Sequence, residues 1–291
     1  MIVAFRKEIH EPMWPLDPDE FVPRLDLPDN HDRSASWYFI CISGKIACIS
    51  EHGIPRPINA DEYRWLDIEI LSDHYMGQFR GHACFAVEAS GRLPEGYVLA
   101  GLREWLGRVE PALFYLAGRA QQIVAWHDTN RHCGRCGGGM DNHPEDRAKI
   151  CNDCGLINYP RLSPSIIVLV RRDREMLLAR NANWPQGMYS TLAGFVEPGE
   201  SIEQTVHREV FEEVALRINN VRYLGSQSWP FLNSLMLGFH ASYDSGEIVC
   251  QEGEIADARW FRWDELPNVP PATAISRWLI DDFIADVQGD R

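Results

Sequence analysis

The sequence points to an α+β chain. A sandwich of the α/β/α type on a mixed sheet follows a four-cysteine module and a small β-rich N-terminal domain. Three observations carry that reading. Strand-length apolar runs dominate, and after Leu162 one amphipathic helical stretch interrupts them and another closes them. Strands, helix, strands, helix is the order that puts helices on both faces of one sheet. Two C-x2-C pairs lie just ahead of that region, between Arg131 and Tyr159. The expected boundaries are 1–126 for the β-rich domain with a linking helix, 127–161 for the cysteine module and 162–291 for the sandwich.

A chain of 291 residues with 45% hydrophobic side chains can fill more than one core. It has no run of about 18 apolar residues, so no membrane-spanning helix and no membrane partner are expected. Its opening lacks the apolar core of a secretory leader and its last residues carry no recognised address, which makes cytoplasmic the expected location. The net charge of −14 opposes non-specific binding to nucleic acid. It leaves room for a small phosphorylated ligand, because a bound metal reverses charge locally.

Pro12, Pro15, Pro18, Pro23 and Pro28 predict an extended, irregular opening. Residues 36–43 and 45–50 read as two strands around Ser43-Gly44, with further strands at 68–71 and 82–88. Cys41, Cys48 and Cys84 sit inside apolar runs and are expected to be buried thiols. From Val98 the pattern turns helical, and Pro111 to Trp126 has the spacing of one long helix.

Cys133 and Cys136, fourteen residues, then Cys151 and Cys154 form two knuckles that can offer four thiolates to one tetrahedral zinc. A redox C-x-x-C is the rival, but it needs no matching second pair. Four thiolates fill the coordination shell, so this zinc, one per chain, is expected to be structural, with His132 and His143 outside it. Basic residues around the knuckles are balanced by Asp141, Glu145, Asp146 and Asp153, which argues against a nucleic-acid ribbon.

Ser165–Val170 reads as a central strand and Met176–Arg180 as its neighbour. Ser190–Ala193 leads into Gly194–Gly199, a glycine- and proline-bearing loop. Ser201 with Gln204 has the form of a capping box. Ile202, Val206, Val210 and Val214 then make an apolar stripe. Glu209 and Glu213 stack four residues apart at its border, with Glu212 one step round and Arg208 placed to offset charge. A merely solvated acidic face has the same spacing, whereas carboxylates crowded beside a buried face suit Mg²⁺ or Mn²⁺. Residues 221–226, 235–243 and 258–263 read as strands, and Thr273–Val287 as a closing helix. Between two of those strands, Ser226–Ser234 (SQSWPFLNS) reads as a loop whose Trp229 and Phe231 either receive a planar heterocycle or plug a core.

Residues 194–216, GFVEPGESIEQTVHREVFEEVAL, resemble the Nudix box, G-x5-E-x7-R-E-U-x-E-E-x-G-U with U apolar. Gly194, Glu200, Arg208, Glu209, Val210, Glu212, Glu213 and Leu216 fall in place. The late glycine is Ala215, and a strong helix former there lets the helix run further. Ribbon, box and S-Q-x-W-P-F-x-x-S in that order resemble the NADH pyrophosphatase family of Nudix hydrolases over roughly residues 103–288. That family reads SQPWPF, so Ser228 replaces its proline, and it carries Tyr-Pro-Arg as at Tyr159–Arg161.

The resemblance implies hydrolysis of NADH to reduced NMN and AMP, with NAD and NAD-capped RNA ends as further substrates, by a homodimer whose site draws on both subunits. It implies Glu209, Glu213 and Glu254, with the Ala193 carbonyl, as ligands of Mg²⁺ or Mn²⁺, Glu252 being a near alternative to Glu254. Phe195, Trp229 and Tyr159 would stack on the nicotinamide side. Gln227, Ser234 and the backbone through Ser228, Pro230 and Phe231 would hold ribose and phosphate. Arg103, Asp146 (a glutamate in the family) and Ser276 (an alanine there) would be further contacts. A carboxylate, Glu213 or Glu212, would take the proton from attacking water. Another diphosphate substrate, such as ADP-ribose or a dinucleoside polyphosphate, is the alternative.

Overall fold

The structure, a computed structural model, describes residues 16–28 and 33–289. Pro12, Pro15 and the opening segment read as leader-free lie outside the described residues, as does the end of the chain from 290. The described residues form two compact units, one up to Arg161 and one from Leu162 onward.

In the first unit β1 (Phe21–Pro23), β2 (Trp37–Ile42), β3 (Lys45–Glu51), β4 (Ile54–Arg56), β5 (Ile58–Asn59), β6 (Glu69–Phe79), β7 (His82–Ser90) and β8 (Tyr97–Ala100) form one sheet. The β2–β3 hairpin turns through Ser43 and Gly44, both at positive φ (51° and 74°), as a tight right-twisted hairpin requires. The helical pattern expected from Val98 is displaced: Tyr97–Ala100 pairs with Ile46–Ile49 as a strand. Two short helices, α1 (Ala60–Arg64) and α2 (Leu102–Trp105), precede α3 (Pro111–Thr129), which starts on proline and packs on β2, β6 and β7. Cys41, Cys48 and Cys84 are buried, and burial pushes their thiols up to about 12, 11 and 12.

The same unit contains β9 (Met140–Asn142), β10 (Lys149–Cys151) and β11 (Ile157–Asn158), a three-stranded sheet carrying the cysteine knuckles. The two knuckles repeat one backbone pattern. Gly137 N–H donates to the Cys133 carbonyl at 2.9 Å and Gly155 N–H to the Cys151 carbonyl at 3.0 Å. Both glycines have left-handed φ, 78° and 70°, where a side chain costs energy.

In the second unit β12 (Ser163–Arg172), β13 (Glu175–Asn181), β14 (Leu192–Phe195), β15 (Arg217–Trp229), β16 (Ser234–Ser245) and β17 (Ile255–Arg262) form a sheet ordered β15-β16-β12-β13-β17, with β14 also on β12. The β12–β16 pair is parallel and the others antiparallel, so the sheet is mixed. Strand β12 is apolar from Ile166 to Val170 because both its faces are covered there. Ile166, Val168 and Val170 face α4 (Ile202–Val214), while Ile167 and Leu169 face α5 (Ile275–Val287). The helices supply Val206, Val210 and Val214 on one side and Ile275, Leu279 and Phe283 on the other. This is the α/β/α sandwich. No helix among the described residues is long and apolar enough to cross a membrane.

Candidate active site

The acidic helix α4 begins with the predicted capping box: Gln204 N–H donates to Ser201 Oγ at 3.2 Å and Ser201 N–H to Gln204 Oε1 at 2.8 Å. It does not run on through Ala215. That residue takes a left-handed φ of 58° and donates to the Phe211 carbonyl at 2.8 Å, so the helix ends where glycine is usual despite the alanine. Beyond the helix, Val249 N–H donates to the Val214 carbonyl at 3.1 Å and Gln251 N–H to that of Glu213 at 2.9 Å. These bonds satisfy carbonyls that a helix end leaves open and bring the 251–254 turn to Glu213.

Arg208 is the hub of the site. Its guanidinium donates to Glu200 Oε1 at 2.5 Å and Oε2 at 2.9 Å, to Glu209 Oε1 at 2.9 Å, to Glu212 Oε2 at 2.8 Å and to the Phe195 carbonyl at 2.9 Å. Glu200 also accepts from Thr205 Oγ1 and Glu197 N–H. Arg208 first, with these neutral donors, holds the Glu200 carboxyl down at about 2. Five bonds from one planar fork lock the loop before α4 to the helix itself. Glu200 carried no role in the sequence reading; its fixed spacing of eight from Arg208 was the available signal.

Glu209 is packed over β14. A Cβ on Gly194 would fall 1.9 Å from Glu209 Cδ and 2.0 Å from its Oε1, so any other residue here displaces the Glu209 carboxylate. Gly194 and Phe195 belong to β14, paired with Ser165 and Ile166, so the expected loop starts at Val196 instead. Ser165 Oγ donates to the Gly194 carbonyl at 2.9 Å, and Ala193 lies one residue earlier on the same strand.

Glu213 is 5% exposed, and its Oε2 is buried with no hydrogen-bond partner. Burial first, then Glu209, Glu254 and Glu212, push its carboxyl up to about 8. Burial also raises Glu209, against the pull of Arg208. Glu254, rather than Glu252, is the turn residue that acts on Glu213.

The donor chemistry fits a hard divalent cation: carboxylate oxygens outnumber the single guanidinium, and one buried oxygen is left unpaired. Among the described residues only the cysteines bring three or more ligand atoms within 4.8 Å of one another. The glutamates are spread further because Arg208 draws Glu209 and Glu212 to itself.

At the cysteine module the Cys133 and Cys154 sulfurs are 3.6 Å apart and those of Cys136 and Cys151 3.5 Å. Backbone N–H groups of Cys136 and Arg135 lower the Cys133 thiol to about 6, which favours the thiolate that binds metal. The four clustered sulfurs match tetrahedral zinc, and His132 and His143 lie outside the cluster.

The SQSWPF segment is not a free loop. Ser226–Trp229 is the end of β15, paired with Leu237–Ser234 of β16, and only residues 230–233 form the turn. Trp229 and Phe231 are half-buried and pack edge to face, 5.2 Å between centroids. The Gln227 side chain is committed inward. Its Nε2 donates to the Thr273 carbonyl and its Oε1 accepts from Ile275 N–H, both at 2.8 Å, capping α5 where Ala274 has no side chain to do so. Both amide atoms of Gln227, expected at ribose or phosphate, are thus engaged by the start of α5 in this structure. Ser234 Oγ is buried and donates to the Phe231 carbonyl at 3.2 Å, and Ser276 is buried at the start of α5. Ser228 and Pro230 are half-buried, and Phe195 is 44% exposed.

Arg103, Asp146 and Tyr159 belong to the other unit. There Tyr159 is exposed and its hydroxyl donates to Asp146 Oδ2 at 3.1 Å, while Arg103 lies exposed on α2.

Three family models match this chain. A NADH pyrophosphatase-like rudimentary NUDIX domain covers 36–126, a NADH pyrophosphatase zinc ribbon domain covers 128–159 and a NUDIX domain covers 161–283. The chain is 49% identical over 239 residues to a protein of Stutzerimonas stutzeri (strain A1501) named NAD-capped RNA hydrolase NudC, covering 81% of this chain and 86% of that one. The chain belongs to the NADH pyrophosphatase family of Nudix hydrolases. A second such relative, from Pseudomonas fluorescens (strain Pf0-1) and bearing the same name, is 46% identical over 76% of this chain and 82% of its own. A solved NUDIX hydrolase from Nitrosomonas europaea is 21% identical with a TM-score of 0.43, covering 54% of this chain and 90% of that chain. This NADH pyrophosphatase family member thus carries its hydrolase box on α4, and the first of its three segments is a rudimentary copy of the same domain.

Proposed function

We propose that this enzyme cleaves the pyrophosphate bond of NADH, and also of NAD and NAD-capped RNA ends, releasing reduced NMN or NMN from AMP or from a 5′-monophosphate RNA. The observation that carries this reading is the Glu213 carboxylate, buried and unpaired among Glu209, Glu212 and Glu254. The relatives named NAD-capped RNA hydrolase support the substrate class.

Glu209, Glu213 and Glu254, with the Ala193 carbonyl, would hold Mg²⁺ or Mn²⁺. Such an ion neutralises pyrophosphate oxygens and makes bound water more acidic. Arg208 orients Glu209 and Glu212 while its other edge fixes the 195–200 loop. Glu213 Oε2, with no competing donor, accepts the proton of the attacking water, Glu212 being the second choice. Attack in line on one phosphorus then expels the other mononucleotide, and fixed charge supplies most of the acceleration.

Phe195 and Trp229 stack on the nicotinamide side. Backbone groups from Ser228 through Pro230, Phe231 and Ser234 meet ribose and phosphate, with Ser276 contributing through its backbone. The enzyme acts as a cytoplasmic homodimer. Cys133, Cys136, Cys151 and Cys154 hold one structural zinc per chain. The test is a substrate panel of NADH, NAD, ADP-ribose and NAD-capped oligoribonucleotide in Mg²⁺ and in Mn²⁺, with products identified by mass. NADH should exceed ADP-ribose in kcat/KM by at least about tenfold; a preference for ADP-ribose would displace this substrate assignment.

A further inference from the structure

A second polar cluster lies wholly within the first unit, on the side of α3 that meets the zinc module. Arg119, Gln122, Trp126 and His127 fall at i, i+3, i+7 and i+8 and so share one face of α3, about 12 Å long. Each leaves a buried ring, amide or guanidinium nitrogen without a partner: Arg119 Nε, Gln122 Nε2, Trp126 Nε1 and His127 Nδ1. His74 of β6 adds a fifth, its buried Nε2, with its ring centroid 4.6 Å from that of His127. The zinc module contributes Arg147, whose guanidinium donates to the Arg24 and Tyr75 carbonyls at 3.0 and 2.8 Å, and the buried Lys149. Five buried nitrogens without a protein partner in this region call for a bound water or ligand, because each costs about 1–3 kcal/mol when left unmet.

The charges around these nitrogens are one-sided. Arg147 and Lys149 act on His74, and Arg147 acts on Arg119, with no carboxylate opposing them. The nearest acids are engaged elsewhere: Asp128 and Glu88 bind Arg131 at 2.9 and 3.2 Å, and Asp141 accepts from Asn152 at 3.0 Å. Asp128 tempers His127, and Asp141, Asp128 and Glu88 temper Lys149, but none reaches the His74–Arg119 side. Two neutral imidazoles could take a transition metal, yet three permanent cations beside them repel one. An oxyanion offers acceptors to these donors and offsets the cationic excess.

We propose that the face of α3 bearing Arg119, Gln122 and His127, with His74 and the zinc module's Arg147 and Lys149, is a binding site for a phosphate group. The stripe of donors is long enough for two linked phosphates. Burial first, and then His127, Arg147 and Lys149, hold His74 down at about 4. An anion reverses that balance, so affinity should rise as pH falls toward the histidine range.

The experiment follows the His74 and His127 ring resonances of the full-length, zinc-loaded protein by NMR, assigned with His74→Asn and His127→Asn. The background is Glu213→Gln, which keeps catalytic turnover out of the measurement. Inorganic phosphate, pyrophosphate and a 5′-phosphorylated oligoribonucleotide are titrated in turn against chloride of equal ionic strength. Both histidines should shift, and Arg119→Gln should weaken the titration at least about tenfold while NADH turnover in the otherwise unmodified enzyme stays unchanged. If only the oligonucleotide acts, the phosphate comes from nucleic acid; if the inorganic anions act equally well, it is a free oxyanion. Should neither histidine respond beyond the chloride control, or should Arg119→Gln and His127→Asn both titrate like their parent, the donors are met by water and the site does not exist.

Discussion

Replacing Glu213 by glutamine separates what this carboxylate does for the fold from what it does for the chemistry. In the folded enzyme without added Mg²⁺ or Mn²⁺ the carboxyl is pushed up to about 8 from the ordinary 4.5, mainly by burial. The folded state therefore holds this proton more tightly than the unfolded chain. The stability it brings is complete below the ordinary value and is lost as pH rises through 8. At about 1.4 kcal/mol per pH unit, the loss amounts to about 3 kcal/mol at pH 7 and under about 1 kcal/mol at pH 5. Glutamine is neutral and nearly the same shape, so Glu213→Gln should stabilise the metal-free protein by that difference while lowering kcat at least about 10²-fold. Urea unfolding followed by tryptophan fluorescence at both pH values, with zinc retained, reads the first quantity; NADH turnover at saturating metal reads the second. A variant no more stable than the parent at pH 7, or one whose gain is the same at pH 5, would refute the argument that the carboxylate is strained. Near-parental turnover would remove Glu213 from the chemistry.

Gly194→Ala should push the Glu209 carboxylate off β14 and reduce kcat/KM by more than about tenfold with a small change in Tm, because the added methyl meets a side chain rather than the core. Ala215→Gly should relieve the left-handed alanine at the end of α4, adding roughly 0.5–1 kcal/mol and a Tm rise of about 2–4 °C with unchanged turnover. Gln227→Leu should uncap α5 and cost about 1–3 kcal/mol in chemical denaturation with KM for NADH nearly constant; a large rise in KM at constant stability would restore Gln227 to ligand binding. Cys136→Ser should lower bound zinc, measured by elemental analysis, from one per chain toward none and destabilise the 127–161 module by several kcal/mol.

Much of the catalytic half was legible because its signals are local. Spacing of four placed Val206, Val210 and Val214 inward, the Ser201–Gln204 pair marked where α4 begins, and a run with no polar interruption marked β12 as covered on both faces. What escaped depends on contacts between residues far apart in the chain. The serines and glutamine before Trp229 look like a loop, yet pairing with Leu235–Leu237 continues β15 through them, and the turn begins only at Pro230. Gln227 looks like a ligand-facing amide, but α5 begins at Ala274–Ile275, which cannot cap itself and borrows the amide from 48 residues away. Ala215 favours helix by itself, and the Gln251 and Val249 bonds to the preceding carbonyls prevail over that preference. Val98 and Leu99 lie in a helix-like pattern, but the edge of β3 was open to a strand there.

The guanidinium of residue 208 reaches acceptors on two sides at once: a main-chain oxygen and one carboxylate before the helix, two carboxylates along it. A lysine would preserve the charge but not that span, since all of its N–H bonds radiate from a single atom at the tip of one flexible arm. Sign and planarity are therefore separate demands at this position. A replacement that looks conservative to electrostatics would unfasten the seam between strand end and helix, leaving the acidic side chains in place by number but no longer aimed.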